Sequence, residues 1–157
     1  MENSLDVLSE SLDLKIEVLK EIQEYNDRQA EAFSGEEPDM DSFDEAIEEK
    51  GRLIEKLEKL DEGFELLYAR LAEQLKDNRD KYAVQIRQLQ EKITVVTELG
   101  VSVQASEARN KKLIEDYFGR SKRGIKEGRV GSKAAYDYYR NMSGMNVMGA
   151  QFMDSKK

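Results

Sequence analysis

The stretch IEEKGRLIEKLEKLDEGFELLYARLAEQL, Ile47–Leu75, sets the architecture. Three adjacent heptad columns of apolar residues run through it. Leu53, Leu60 and Leu67 form one, and Leu57, Phe64 and Leu71 form the second. Ile47, Ile54, Tyr68 and Leu75 form the third, which Asp61 interrupts. Residues seven apart share a helix face, so the columns merge into one apolar stripe. A two-stranded coiled coil needs only a narrow seam, whereas this stripe is wide. It predicts a helix from about Ser42 to Leu75 that touches two neighbours. On the outer face, Glu48–Arg52 and Glu55–Lys59 are spaced for ion pairs worth about 0.3–0.5 kcal/mol each. Gly51 and Gly63 each cost about 1 kcal/mol in a helix interior. Close packing against a neighbouring helix would explain them, and a kink is the alternative.

Upstream, Leu5, Leu12, Leu19 and Phe33 share a column, with Asn26 in its vacant position. Leu8, Ile16 and Ile22 lie on the same side. These predict a first helix from about Ser4 to Phe33, capped by Asn3 or Ser4. Ser34-Gly35-Glu36-Glu37-Pro38-Asp39 stops it: glycine tolerates a left-handed exit and proline blocks continuation. Asp41 is placed to cap the second helix.

Downstream, Lys76-Asp77-Asn78-Arg79-Asp80 marks a turn. The third helix carries Tyr82, Leu89, Val96, Val103 and Tyr117 in one column, with Asn110 in the gap. Ile86, Ile93 and Ile114 form the next, with Gly100 and Glu107 between them. Apolar density fails over Gln104–Lys112 and returns at Leu113, Ile114, Tyr117 and Phe118. The short turn predicts that helix three runs antiparallel to helix two. A 34-residue second helix is roughly 50 Å long, and the same length of helix three reaches only to about residue 113. The late cluster is therefore expected at or beyond the bundle's end, as an end cap or as an exposed binding patch. Gly119, Gly124, Gly128 and Gly131 then loosen the chain. Ser132 can cap a short helix over Lys133–Met142, and an irregular stretch follows. The expected architecture is all-α: an elongated antiparallel three-helix bundle over residues 1–131 with a long third helix, then a recognition tail over 132–157.

That tail holds Met142, Met145, Met148 and Met153, four of the chain's six methionines. Tyr136, Tyr138, Tyr139 and Phe152 join them. Methionine adapts to irregular surfaces, and tyrosine gives contact area at low entropic cost. The tail either folds back on the bundle or meets a partner.

Composition narrows the chemistry. Charged residues make up 37% of the 157 residues, against about 25% in ordinary soluble domains, and histidine and cysteine are absent. Thiolate chemistry, disulfides and the usual general base are thereby excluded, and no catalytic, cofactor or metal site is expected. The acidic run Glu36–Glu45 lacks the ligand spacing of a calcium loop. Residues 1–62 carry 7 basic and 21 acidic side chains, while residues 109–157 carry 12 and 5. Solvated helix faces of opposite sign account for this, and so would a basic end that meets an acidic partner. Arg109, Lys111, Lys112, Arg120, Lys122, Arg123, Lys126 and Arg129 accompany no nucleic-acid-binding motif. No apolar run is long enough for a membrane helix, and MENSLDVLSE has no signal-peptide pattern, so a soluble cytoplasmic protein is expected.

EEKGRLIEKLEKLDEGFE in helix two, ARNKKLIEDYF late in helix three and the closing SKAAYDYYRNMSG and QFMDSKK resemble the FlgN family of flagellar export chaperones. A related chaperone family for the filament cap protein has a similar helical build. The resemblance implies a cytoplasmic chaperone for hook–filament junction proteins. Such a chaperone binds their C-terminal amphipathic helices and delivers them to the membrane protein of the export gate. Leu113, Ile114, Tyr117 and Phe118 would then anchor a cargo helix, with Tyr136, Tyr139, Met142, Met145, Met148, Phe152 and Met153 closing over it. Tyr136 or Tyr139 would be the nearest match to the family's gate-contacting tyrosine. The alternative is a self-associating structural coiled coil in which the late apolar cluster makes a homodimer.

Overall fold

The computed structural model describes residues 2–120, all of them in helices or the turns between. The short C-terminal helix, the tail and the boundary at residue 132 lie outside the described residues. Three helices follow in order: α1 Glu2–Glu31, α2 Met40–Asp77 and α3 Ala83–Arg120. There is no strand among the described residues.

The periodicity places these helices correctly, but their ends differ from expectation. α1 already begins at Glu2, so Asn3 and Ser4 sit inside its first turn rather than capping it. Its exit is not a left-handed glycine, since Gly35 lies outside that region. The last turn tightens instead: Phe33 N–H donates to Ala30 C=O and Ser34 N–H to Glu31 C=O. The Ser34 hydroxyl also donates to the Glu31 carbonyl at 2.6 Å.

The α2 cap is Asp39, not Asp41. Its carboxylate accepts the Ser42 N–H at 3.2 Å and the Ser42 hydroxyl at 2.7 Å. Those bonds hold the Asp39 carboxyl below the usual aspartate range. At the far end, Asn78 closes α2 by donating its side-chain amide to the Gln74 carbonyl at 2.8 Å. Arg52 pairs with Glu49 one turn back, not with Glu48.

α2 is 38 residues long, and α3 also spans 38 up to Arg120, where the described residues end. α2 gains four residues over the expected span, two at each end. The late cluster of α3 therefore stays within reach of α2's start.

The helices contribute to two compact units. One takes α1 as far as Lys20 together with Glu55–Gly100. Its core is apolar: Leu5, Leu8, Leu12, Leu57, Leu71, Leu89, Ile93 and Val96 are all buried. The gap that Asp61 leaves in its column is filled by an ion pair with the buried Lys15 at 2.5 Å. Burial pushes the Asp61 carboxyl up, and the Lys15 hydrogen bond opposes the rise. Lys92 reaches from α3 to Ser9 at 2.6 Å and Asp13 at 3.0 Å on α1.

The other unit takes Glu21–Ile54 and α3 from Val101. Within it, Gln23 meets Ser106 and Asn26 meets Asn110, so α1 and α3 run parallel at an offset of 83–84 residues. α2 runs antiparallel to both. Its Lys50 meets Asn26 and Glu107, while at its start the Asp39 N–H donates to Ala32 C=O at 2.8 Å.

Neither helical glycine of α2 reflects close packing. A Cβ added at Gly51 or Gly63 meets nothing within 4 Å, and α2 stays helical through both. Gly51→Ala and Gly63→Ala should each stabilise the fold, by up to about 1 kcal/mol, because alanine loses less backbone entropy in a helix. Urea unfolding of each variant checks this, and a loss of stability at either site would mean that the position is closely packed.

Candidate functional site

The second unit has a core of mixed character. Ile22, Ala32, Phe43, Ala46, Ile47, Val103 and Ile114 are buried, but so are Asn26, Gln29, Lys50, Ser106, Glu107 and Asn110. The polar members form a layer. The Lys50 ammonium donates to Asn26 Oδ1 at 2.7 Å and to the two Glu107 carboxylate oxygens at 2.8 and 2.9 Å. Both charged side chains are fully buried. Asn110 Nδ2 donates to the Asn26 backbone carbonyl at 3.0 Å and to Gln29 Oε1 at 3.2 Å. Arg109 closes the edge through the same carbonyl at 3.1 Å. Asn26 Nδ2 is buried without a hydrogen-bond partner.

In the sequence, Asn26, Glu107 and Asn110 read as gaps in heptad columns, with nothing to join them. A signal is present all the same: Lys50 stands seven residues before Leu57, in that apolar column. Each helix thus has a polar residue at a core position, and opposite charges stand on two of them.

Beyond this layer lies an aromatic cluster. Ala32, Phe43, Ile47 and Ile114 are its buried residues, and Phe33, Met40, Tyr117 and Phe118 pack on it while half-buried. Phe33 is the hub: its ring centroid is 5.3 Å from Phe43 and 5.9 Å from Tyr117, both edge-on. Tyr117 in turn lies 5.3 Å from Phe118. Such pairs are worth about 0.5–1.5 kcal/mol beyond the area they bury.

Of the residues expected to bind a partner, the structure brings Ile114, Tyr117 and Phe118 into this cluster. Ile114 is buried, so only Tyr117 and Phe118 of these three keep accessible surface. Leu113 is half-buried. Tyr136, Tyr139, Met142, Met145, Met148, Phe152 and Met153 lie outside the described residues. Phe43 and Met40 are absent from that expectation although the pattern extends to them: Met40 stands seven residues before Ile47, and Phe43 fourteen before Leu57 with Lys50 between.

Among the described residues no cluster of acidic side chains is arranged to hold a metal ion, and no helix is long and apolar enough to cross a membrane.

The buried pair makes two predictions. Glu107→Leu alone leaves Lys50 charged and unpaired, which should cost about 3–5 kcal/mol. Lys50→Met/Glu107→Leu together should be close to neutral or more stable than wild type. Chemical denaturation of both variants and the wild type checks this, and equal losses in both variants would refute it.

The second concerns pH. Burial lowers the Lys50 pKa to about 8, while the Glu107 carboxylate resists the fall. In the unfolded chain a lysine titrates near 10.4. Below about pH 8 both states hold the proton, so this residue adds no pH dependence. Between about pH 8 and 10.4 the unfolded chain holds more protons, and stability from this residue rises with pH. Wild type should therefore gain on Lys50→Met/Glu107→Leu between about pH 7 and 9.5, an interval chosen to bracket that onset. Urea midpoints at each pH measure the gap.

Comparison with curated proteins and with solved structures gives no match. A family model described as FlgN protein matches residues 1–142, which takes in all three helices. The chain, with its three heptad-patterned helices, belongs to the FlgN family.

Proposed function

We propose that this chain is a cytoplasmic export chaperone for flagellar hook–filament junction proteins. It binds their C-terminal amphipathic helices, keeps them from assembling early and delivers them to the type III export gate. Membership of the FlgN family, a family of flagellar chaperones, carries this reading.

The aromatic end of the second unit supports it physically. Phe33, Met40, Tyr117 and Phe118 are held by the buried residues beneath them, yet keep part of their surface accessible. An amphipathic helix presents anchors at i, i+3, i+4 and i+7, and an apolar face of this kind is what it docks on. Aromatic residues in such a place carry most of the energy of an interface. Leu113 extends the face along α3, while Ile114 supports it from below. In the same reading, Met142, Met145, Met148, Phe152 and Met153 cover the bound helix, and Tyr136 or Tyr139 meets the export-gate protein. No cofactor takes part in the binding step.

Titration with a C-terminal peptide of a junction protein tests the reading. A 1:1 complex is expected, and Tyr117→Glu/Phe118→Glu should weaken it by roughly tenfold or more, as for loss of a hot spot, with helical content unchanged. Absence of binding at about 100 µM peptide would count against the reading. If the double variant instead converts a dimer to a monomer and binds the peptide as before, the aromatic end serves self-association.

A further inference from the structure

We infer that the aromatic end selects for basic partners: the helix it takes carries Lys or Arg beside its apolar anchors. This rests on the chaperone reading and narrows the class of helix that the site accepts.

Two segments that form the site carry one sign of charge, with Lys112 and Arg120 at the borders of the second. Residues 29–49, which hold the end of α1, the turn and the start of α2, contain nine acidic side chains and no basic one. Residues 113–119 add Glu115 and Asp116, again with no basic residue. Glu31, Glu36, Glu37, Asp41, Glu115 and Asp116 are all exposed. They flank the half-buried Phe33, Met40, Tyr117 and Phe118. Three of the basic residues that border these segments are already engaged. Arg28 lies 4.9 Å over the Tyr25 ring, Lys50 is buried against Glu107, and Lys111 sits 3.9 Å from Glu115.

A cavity of about 320 Å³ adjoins the cluster through Ala32. Glu31, Asp39 and Glu45 stand in its wall with Arg28 as the single cation. The surplus of carboxylates suits a lysine or arginine side chain whose helix lies on the aromatic face. Nearby apolar and acidic groups then divide the work. Apolar burial supplies affinity, and the acidic rim raises the association rate and rejects helices with acidic flanks.

The test uses the full chain and three helical peptides with the same leucine anchors and with Lys, Gln or Glu flanks. At low salt the Lys-flanked peptide should bind at least about tenfold tighter than the Glu-flanked one, and the ratio should shrink in about 0.5 M salt as screening sets in. Glu31→Gln/Glu36→Gln/Glu45→Gln should remove most of that ratio. Glu55→Gln/Glu58→Gln/Glu62→Gln changes net charge equally but elsewhere, and should leave the ratio within about twofold, as for distant charges under screening.

Equal binding of all three peptides overturns the inference, and so does an equal loss in both protein variants. Binding of the junction peptide in that case leaves the chaperone reading standing, so the two failures are distinguishable. A final variant, Lys122→Gln/Arg123→Gln/Lys126→Gln, should leave the Lys-flanked peptide's affinity unchanged. A rise of about tenfold, the scale of losing a competing electrostatic occupant, would identify this chain's own basic segment as that occupant and overturn the partner assignment.

Discussion

The buried contact between Lys50 and Glu107 constrains the second unit more than any apolar contact does. Two opposite charges inside a helical core are tolerable only when paired and hydrogen-bonded, and here both carboxylate oxygens and Asn26 Oδ1 surround one ammonium. Leucine columns repeat every seven residues, so they tolerate a slip of one heptad. The ionic layer does not. Moving Glu107 by one heptad in its column would set Gly100 or Ile114 against Lys50 and strand both charges. A single polar layer thus specifies the register that a set of alike apolar layers leaves degenerate.

The same layer shapes the site. It separates the aromatic cluster around Phe33, Phe43 and Ile114 from the apolar residues Ile22 and Val103 of the same unit. The cluster must be held from its own side, and edge-on aromatic contacts from Phe33 in the α1–α2 turn to α2 and α3 do so. Half-buried rings at the end of such a stack are supported from beneath and keep part of their surface accessible. In the chaperone reading this geometry serves as an adaptable docking face, to whose tolerance Met40 would add. The α1–α2 turn carries exposed acidic residues, so in the proposed reading apolar and electrostatic recognition would occur at one place.

Within the chaperone reading, the division between the units has a physical sense. The first unit is an apolar core with a compensated charge pair, Lys15–Asp61. The second trades apolar layers for a polar one whose Asn26 amide nitrogen stays unpartnered. A buried polar group left unsatisfied lowers stability. The less apolar unit is also the one that bears the aromatic face.

Much of the fold is legible in the residue pattern. Heptad columns depend only on helix geometry, so Leu53, Leu57 and their repeats announce three helices and a wide interface without any knowledge of neighbours. Helix ends are less legible, because a cap depends on which of several nearby side chains turns back on the backbone: Asp39 does, and Asp41 does not. Gly51 and Gly63 cannot be read at all, since open space beside a glycine is a property of the packed neighbours. Ile114, Tyr117 and Phe118 stand out in the sequence, but their partners Phe33, Met40 and Phe43 come from the α1–α2 turn and from α2, and are joined to them only by the register. Helicity, charge asymmetry and the lack of histidine and cysteine follow from the residues alone, because these properties are local or compositional. That Asn26, Lys50, Glu107 and Asn110 form one network emerges only on packing, because pairing depends on the relative rotation and offset of three separate helices.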